Sequence, residues 1–448
     1  MVTGNALIAI FIGALLLLFF LILKVKLEPF VALVGVAILT ALAVGFPIAE
    51  VSSIVAGGFG NTLVSVGILI GLGVIFGELL AASGAVEKIA QAILKLFGVK
   101  KSAAGIALTG TAVSIPVFFD AAFVILSGLI KSLANKTKIP AITFVTALAV
   151  GLIVSHSTII PTPGPMIVAE NTGSDVGLFI IYGLIIAIPA TLVGGYLYGM
   201  FIGRRIKPTE SVEMEIAATD SQTYKKEIST GLSFFMLGLP ILLIIGNTVT
   251  GMVAPDSTIA TIFKLIGDKN VALFISVIAA IILLKPYIAK DYTTLYNNAI
   301  NSAGVILLIT GAGGAFGAVI NQSGIGDHLI TVMQGWNIHI FLLAFIFTQI
   351  LRASLGSATV ALVTTSSILG PQVAELGVSP VLLGLAICSG AIGLSLPNDS
   401  GFWVVNKFGK LTIPQTMKAW TIGGFIAGIT ALVVVYVLFL LSPILPGI

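Results

Sequence analysis

The sequence predicts an all-α polytopic membrane protein: two inverted repeats, each five transmembrane spans plus one re-entrant helical hairpin, with broken helices at the midplane. Three observations carry that expectation. Hydrophobic residues make up 57% of the 448 and charged residues only 9%, with a mean hydropathy of +1.15; in soluble domains about a quarter is charged. Apolar stretches of about 18 residues or more recur along the chain, each able to cross a ~30 Å hydrocarbon core as a helix. No alternation of apolar and polar residues dominates, so the spans are helices rather than barrel strands. The third observation is a pair of odd segments, 102–130 and 339–370, that do not fit as simple spans.

The first half offers spans at about 5–23, 29–47, 61–82, 139–169 and 176–203. Ala6 to Leu23 has no basic region before it and no small-residue cleavage site after it, so it reads as a span rather than a signal peptide. Segment 102–130 decides the topology. Lys100 and Lys101 precede it, and Lys131, Lys136 and Lys138 follow it. As one span it would export a basic cluster, against the positive-inside rule. Folded into a hairpin, each arm of ~14 residues reaches ~21 Å, past the midplane and back. Re-entrant backbone is tolerated where it is buried in protein or lines a cavity.

Residues 204–231 form a polar linker of mixed charge, expected to be cytoplasmic and solvated. The second half offers spans at about 232–253, 271–288, 299–322, 379–403 and 419–442, with hairpin 339–370. The weakest of these is 271–288, because Lys285 must snorkel. The chain thus divides into an N-terminal repeat (1–203), the linker and a C-terminal repeat (232–448). Both termini then lie outside, and of the 22 basic residues only Lys264, Lys269 and Arg352 are not on the cytoplasmic side. That topology explains the net charge of +4, which gives no reason to expect a nucleic-acid partner.

The halves also look alike. Gly73-Val74-Ile75-Phe76-Gly77, with Ser83-Gly84 after it, matches Gly313-Gly314-Ala315-Phe316-Gly317, with Ser323-Gly324 after it. Each holds a G-x-x-x-G, which permits close helix packing and is common when taken alone. A shift of 236 places Asp120–Val124 on Gly356–Val360, Pro161 on Pro397 and Gly173 on Gly409. Inverted repeats whose broken helices meet at the midplane are an architecture of secondary transporters.

Four segments converge in this scheme: the two hairpins and the broken spans 139–169 and 379–403. Ser155–Pro165 holds three prolines and a glycine, which no regular helix accommodates. Its counterpart is Ser395-Leu396-Pro397-Asn398-Asp399-Ser400-Gly401; a pair of ordinary proline kinks is the bland alternative. Each segment brings one ionisable residue to membrane depth: Asp120, His156, Arg352 and Asp399. Arg352 is, with His339, the sole ionisable side chain between Leu329 and Ala374. An arginine at such depth costs at least ~2.5–3.5 kcal/mol unless paired or hydrated, which marks a functional site.

Arg352 suits a substrate carboxylate through its planar donor fork, or it pairs structurally with Asp399 or Asp120. Backbone N–H groups around Ser357, Ala358 and Thr359 would add to an anion site at a half-helix start. Ser155, Thr158, Asn398 and Ser400 could meet substrate hydroxyls. Asp120 reads as a proton carrier or as a cap at the hairpin tip. Asp399 is the second candidate carrier, and His156 a relay or a satisfied buried histidine. His339 reads as an interface residue near the outer end of its hairpin. Aromatic belts account for at least two of Trp336, Trp403 and Trp420.

Enzyme signatures are missing: there is no H-E-x-x-H, no G-x-S-x-G, no Walker A loop, and Cys388 is the only cysteine. No cofactor and no metal centre is expected. Transport would run on an ion gradient.

Several stretches closely resemble the gluconate permease family of proton symporters. They are Arg352–Val360, Asn398-Asp399-Ser400-Gly401-Phe402-Trp403, Gly311–Phe316, and Ser155-His156 with Pro161-Thr162-Pro163-Gly164-Pro165. The likeness runs along essentially the whole chain. It implies proton-coupled uptake of gluconate or a related small hydroxy carboxylate across a bacterial inner membrane. The family looks like part of the larger ion transporter superfamily, whose members are commonly homodimers with a scaffold and a moving transport domain. Two departures stand out: Thr162 where gluconate carriers tend to have histidine, and Asp120 where they tend to have glutamate. Glycerate, another aldonate or D-serine, which one branch of the family carries, therefore stay open as substrates. So does a sodium-coupled carrier of the same fold; a channel or an intramembrane enzyme are rivals from other classes.

Overall fold

A computed structural model describes residues 2–98, 101–206, 224–325, 328, 339–397 and 399–448. Among them every regular element is helical. The first half comprises α1 (Asn5–Phe19), α2 (Pro29–Val44), α3 (Ile48–Ala82), α4 (Ala85–Phe97), α5 (Ser102–Val113), α6 (Phe119–Thr137), α7 (Ala141–Thr158), α8 (Pro163–Thr172), α9 (Val176–Ala190) and α10 (Tyr198–Arg205). The second comprises α11 (Thr230–Val253), α12 (Thr258–Ile266), α13 (Lys269–Leu284), α14 (Tyr292–Gln322), α15 (Ile340–Leu355), α16 (Ala358–Leu369), α17 (Val373–Leu376), α18 (Pro380–Ile392), α19 (Ser400–Phe408), α20 (Ile413–Thr416) and α21 (Gly423–Leu441). By length and composition six helices among the described residues can cross a membrane, or up to eight when two bent pairs each count as one span.

Both odd segments are helix–break–helix pairs. The first is α5 and α6 around residues 114–118, the second α15 and α16 around Gly356 and Ser357. Within 139–169, α7 gives way to α8 across 159–162, and within 379–403, α18 gives way to α19 across 393–399. Helix starts pair between the halves at 102 and 340, 119 and 358, 141 and 380, and 163 and 400. Counted from those starts Asp120 corresponds to Thr359 rather than to Gly356, so the constant shift misplaces the hairpin register. The packing pairs as well. α5 lies on α7 as α15 lies on α18, while α8 crosses to α16 as α19 crosses to α6.

Other expectations are corrected. The span expected at 61–82 begins at Ile48 and is 35 residues long, with a 48° bend between Val64 and Val66. Within this stretch Gly58 serves close packing: a Cβ there would lie 2.5 Å from Cβ of Ala318 on α14. α3 and α14 are each other's main neighbours, and both G-x-x-x-G motifs sit on this pair. A Cβ on Gly77 would lie 2.3 Å from the Pro116 carbonyl oxygen, and one on Gly317 2.4 Å from Cβ of Ser367. Each motif therefore lies against one of the two helix–break–helix pairs. The helices α4 and α12 lie outside every expected span.

The linker is only partly separate. Residues 207–223 of it lie outside the described residues. Tyr224 donates its hydroxyl to Glu87, Lys88 pairs with Glu227, and Ile228 is buried against α3. Burial pushes the Glu87 carboxyl upward. The Tyr224 phenol is also pushed upward, by burial and then by Glu87.

The α5–α7 contact is the tightest test of this fold. A Cβ on Gly151 would sit 2.0 Å from the Ala107 carbonyl oxygen, so Gly151→Ala must force the two backbones apart. Overpacking of this kind costs about 1–3 kcal/mol. The variant is expected to unfold at a lower temperature in detergent, read by fluorescence-detected size exclusion. An unchanged melting temperature would show that α5 does not pack this closely on α7.

Candidate functional site

The breaks converge on one cavity of about 130 Å³. Phe118, Phe119 and Asp120 enter it from the α5–α6 break, and Ile153 and His156 from α7. Arg352 and the run Gly356–Thr359 come from the second pair, Asp399 and Gly401 from the α18–α19 break, and Trp420 from the segment before α21. Local sequence explains the second wall. Gly356 ends α15 with a left-handed backbone, φ 68°. Ser357 is extended and caps α16, its Oγ accepting the Val360 N–H at 3.4 Å. The first-turn N–H groups of α16 thus begin at the cavity edge, where the helix dipole favours an anion.

Arg352 is 2% exposed and Asp399 6%. Nη2 of Arg352 donates to Oδ2 of Asp399 at 2.5 Å. The Ser395 hydroxyl donates to the same Oδ2, and Oδ1 accepts the Gly401 N–H at 3.0 Å as the cap of α19. Three donors therefore hold the carboxylate. The guanidinium is less well served: its Nε and Nη1 are buried without a hydrogen-bond partner among the described residues. A buried donor left so costs about 1–3 kcal/mol, more when charged, which a ligand carboxylate would recover. The pairing of Arg352 with Asp399 and a ligand role are thus compatible, since one guanidinium nitrogen serves the first and two are left for the second.

His156 is 8% exposed, with Nδ1 buried and without a partner among the described residues. Asp120, exposed, lies in the first turn of α6 at the cavity wall. Ser357 and Thr359 line the cavity as expected. Ser155 and Thr158 do not. The Ser155 hydroxyl is buried without a partner among the described residues, and Thr158 donates back to the Val154 carbonyl at 2.7 Å. Asn398 lies outside the described residues, and Ser400 is the first residue of α19. His339 caps α15 and packs among Phe341, Tyr436 and Phe439.

Trp420 departs from the aromatic-belt reading. It is 1% exposed, its indole N–H donates to Ser395 Oγ at 2.6 Å, and its ring centroid lies 4.8 Å from that of Phe119. Trp403, 46% exposed, suits a belt better. Phe118, Phe119 and Ser395 had no assigned role in the sequence, and Trp420 had only the belt reading. The Ser395-to-Asp399 spacing, one helical turn beside a proline, was the signal available for Ser395.

No group of three metal-ligating side chains occurs among the described residues. The arrangement can bind a small anion carrying hydroxyls against an aromatic wall, with a carboxylate and an imidazole beside it.

Comparisons with known proteins agree with that chemistry. The chain is 34% identical to the inner membrane permease YgbN of Escherichia coli K12, over 96% of this chain and 98% of the relative. It is 32% identical to the low-affinity gluconate transporter of the same strain, covering 96% of this chain and 97% of the relative. It is also 32% identical to the D-serine transporter DsdX of Escherichia coli O6:H1, covering 94% and 95%. The crystal structure of the Alcanivorax borkumensis YdaH transporter superposes with a TM-score of 0.64 at 14% identity, over 93% of this chain and 99% of that one, a likeness of fold. The curated relatives are permeases and transporters, not enzymes. With the GntP family permease model matching residues 5–441, the chain belongs to the GntP permease family.

Proposed function

We propose that this protein is a secondary active transporter that couples proton entry to uptake of gluconate or a related small hydroxy carboxylate across a bacterial inner membrane. One observation carries the reading: a buried arginine with two nitrogens that find no partner among the described residues, beside a cavity at a helix start. Arg352 takes the substrate carboxylate, with the N–H groups around Ser357 and Thr359 sharing the charge. Asp120 or Asp399 carries the proton and His156 relays it. Ser155, Thr158, Asn398 and Ser400 are candidates for substrate hydroxyls after rearrangement.

Two inverted repeats, 1–203 and 232–448, with re-entrant hairpins of opposite sense and both termini outside, are the architecture proposed around the site. The matching helix starts and the mirrored packing of α5 on α7 and α15 on α18 support it. Hairpin-bearing elements would move against α3, α14 and their neighbours, and the working unit would be a homodimer in the lipid.

The departure at Asp120 bears on substrate choice because Asp120 lines the cavity. Thr162 lies outside that lining, donating to the Ile159 carbonyl. A carboxylate one methylene shorter changes the reach of that wall, so glycerate and D-serine belong in any test beside the aldonates. DsdX, a D-serine transporter, is among the relatives.

The deciding experiment is uptake into proteoliposomes of gluconate, other aldonates, glycerate and D-serine under imposed proton or sodium gradients. Saturable gluconate accumulation driven by a proton gradient is expected. Accumulation driven by sodium alone would replace the coupling ion, and ionic current without saturable accumulation would make the protein a channel.

A further inference from the structure

We propose that Ser395 and Trp420 are positioning residues of the carboxylate site: Trp420 holds Ser395, Ser395 holds Asp399, and Asp399 fixes how Arg352 presents its free nitrogens. The inference rests on the transport reading above and adds to it the device that keeps the guanidinium in one orientation.

Asp399 sits at the end of the 393–399 break, where no helix constrains it from the N-terminal side. Its Oδ2 is shared by Arg352 and Ser395. A serine hydroxyl has one proton, and here it goes to Asp399. The same oxygen accepts from Trp420, because an indole nitrogen only donates. The direction of the chain is therefore set: indole N–H to hydroxyl oxygen, hydroxyl proton to carboxylate, carboxylate from guanidinium. Thr421 completes the grip, its hydroxyl donating to the Ser395 carbonyl at 2.5 Å. Two consecutive residues thus hold one serine by side chain and by backbone.

They do so from a π-helical segment, Met417–Ile422, between α20 and α21. Such widened turns recur at functional sites. The last span of the first half carries one too, Thr191–Leu197, and its Thr191 hydroxyl lies 2.8 Å from that of Thr111 on α5. In each half the final span reaches into an element that builds the site. Trp420 also closes the circuit to the opposite wall, because its ring packs on Phe119, the neighbour of Asp120. The indole is thereby tied to both sides of the cavity.

The test is a kinetic split in reconstituted full-length protein, with gluconate as the probe. Ser395→Ala removes the middle of the chain without adding bulk, and about a tenfold rise in KM is expected with Vmax within about twofold. Ser395→Thr keeps a hydroxyl and is expected to restore KM to within about threefold of the parent. Trp420→Phe keeps an aromatic ring, loses the N–H, and is expected to raise KM severalfold. A parental KM in Ser395→Ala, while Arg352→Ala abolishes uptake, overturns the inference and leaves the transport reading standing. A second measurement does not depend on transport. In protein labelled with nitrogen-15 at the indoles, the cross-peak missing from Trp420→Phe belongs to Trp420. That peak must move in Ser395→Ala and again in Asp399→Asn, and a stationary peak in both refutes the chain. If no carboxylate is transported by the parent, the transport reading fails, and the indole peak alone decides whether the chain exists.

Discussion

Arg352→Ala is expected to lower carboxylate uptake by about a hundredfold or more. Two charge-assisted hydrogen bonds from Nε and Nη1, at about 1.5–3 kcal/mol each, account for that factor. The substitution has a second consequence, because Asp399 would be left at 6% exposure with Ser395 and the Gly401 N–H as its partners among the described residues. Removing one member of a buried pair costs about 3–5 kcal/mol of stability. Loss of uptake must therefore be separated from loss of protein, by measuring the amount inserted in the membrane and its melting temperature. Arg352→Lys makes the separation cleaner. Lysine retains the charge opposite Asp399, so the fold should persist, but it lacks the planar fork that serves Asp399 and a carboxylate together. Uptake at least about tenfold below the parent is expected from it, with normal membrane levels. Near-parental uptake by either inserted variant would remove Arg352 from the substrate site.

How legible the site was depends on what each residue does. Arg352 was visible because a lone guanidinium in an apolar run must find a counter-ion or a ligand, and the two breaks because prolines interrupt a regular helix. Those signals are local. Trp420 was not visible, since an indole near a span end looks the same whether it faces lipid or protein. Only the fold shows that its N–H reaches Ser395, 25 positions earlier in the chain. Phe118 and Phe119 were hidden for a similar reason: in a chain this apolar two more aromatics carry no contrast. The start of α3 was misjudged because glycine marks both loops and close helix contacts, and Gly58 is decided by its neighbour on α14. The register between the two helix–break–helix pairs was missed because one shift was applied to halves whose elements differ in length: α7 has 18 residues and α18 has 13, and the breaks after them have four and seven.

Neutralising the two carboxylates should separate coupling from binding. Asp120 lies exposed on the cavity wall in the first turn of α6, whereas Asp399 is buried and accepts from Arg352, Ser395 and Gly401 at once. Asp399→Asn replaces one accepting oxygen by an NH₂ group, which then faces either two donors or the Gly401 N–H. In the first orientation the guanidinium loses its acceptor, and in the second it keeps an oxygen but loses the opposite charge, so exchange and net uptake should fall together. Asp120→Asn changes a carboxylate that stands exposed at the cavity wall rather than buried against the guanidinium. It should keep exchange of labelled for unlabelled substrate, which needs no net proton movement, and lose accumulation driven by a pH gradient. The two outcomes have different physical origins, a damaged binding geometry and a missing proton carrier, and exchange is the assay that tells them apart. If Asp120→Asn accumulates substrate against a gradient as the parent does, the proton does not ride on Asp120. If Asp399→Asn exchanges normally as well, the carboxylate that holds Arg352 contributes nothing to binding, and the guanidinium is oriented by something other than its ion pair.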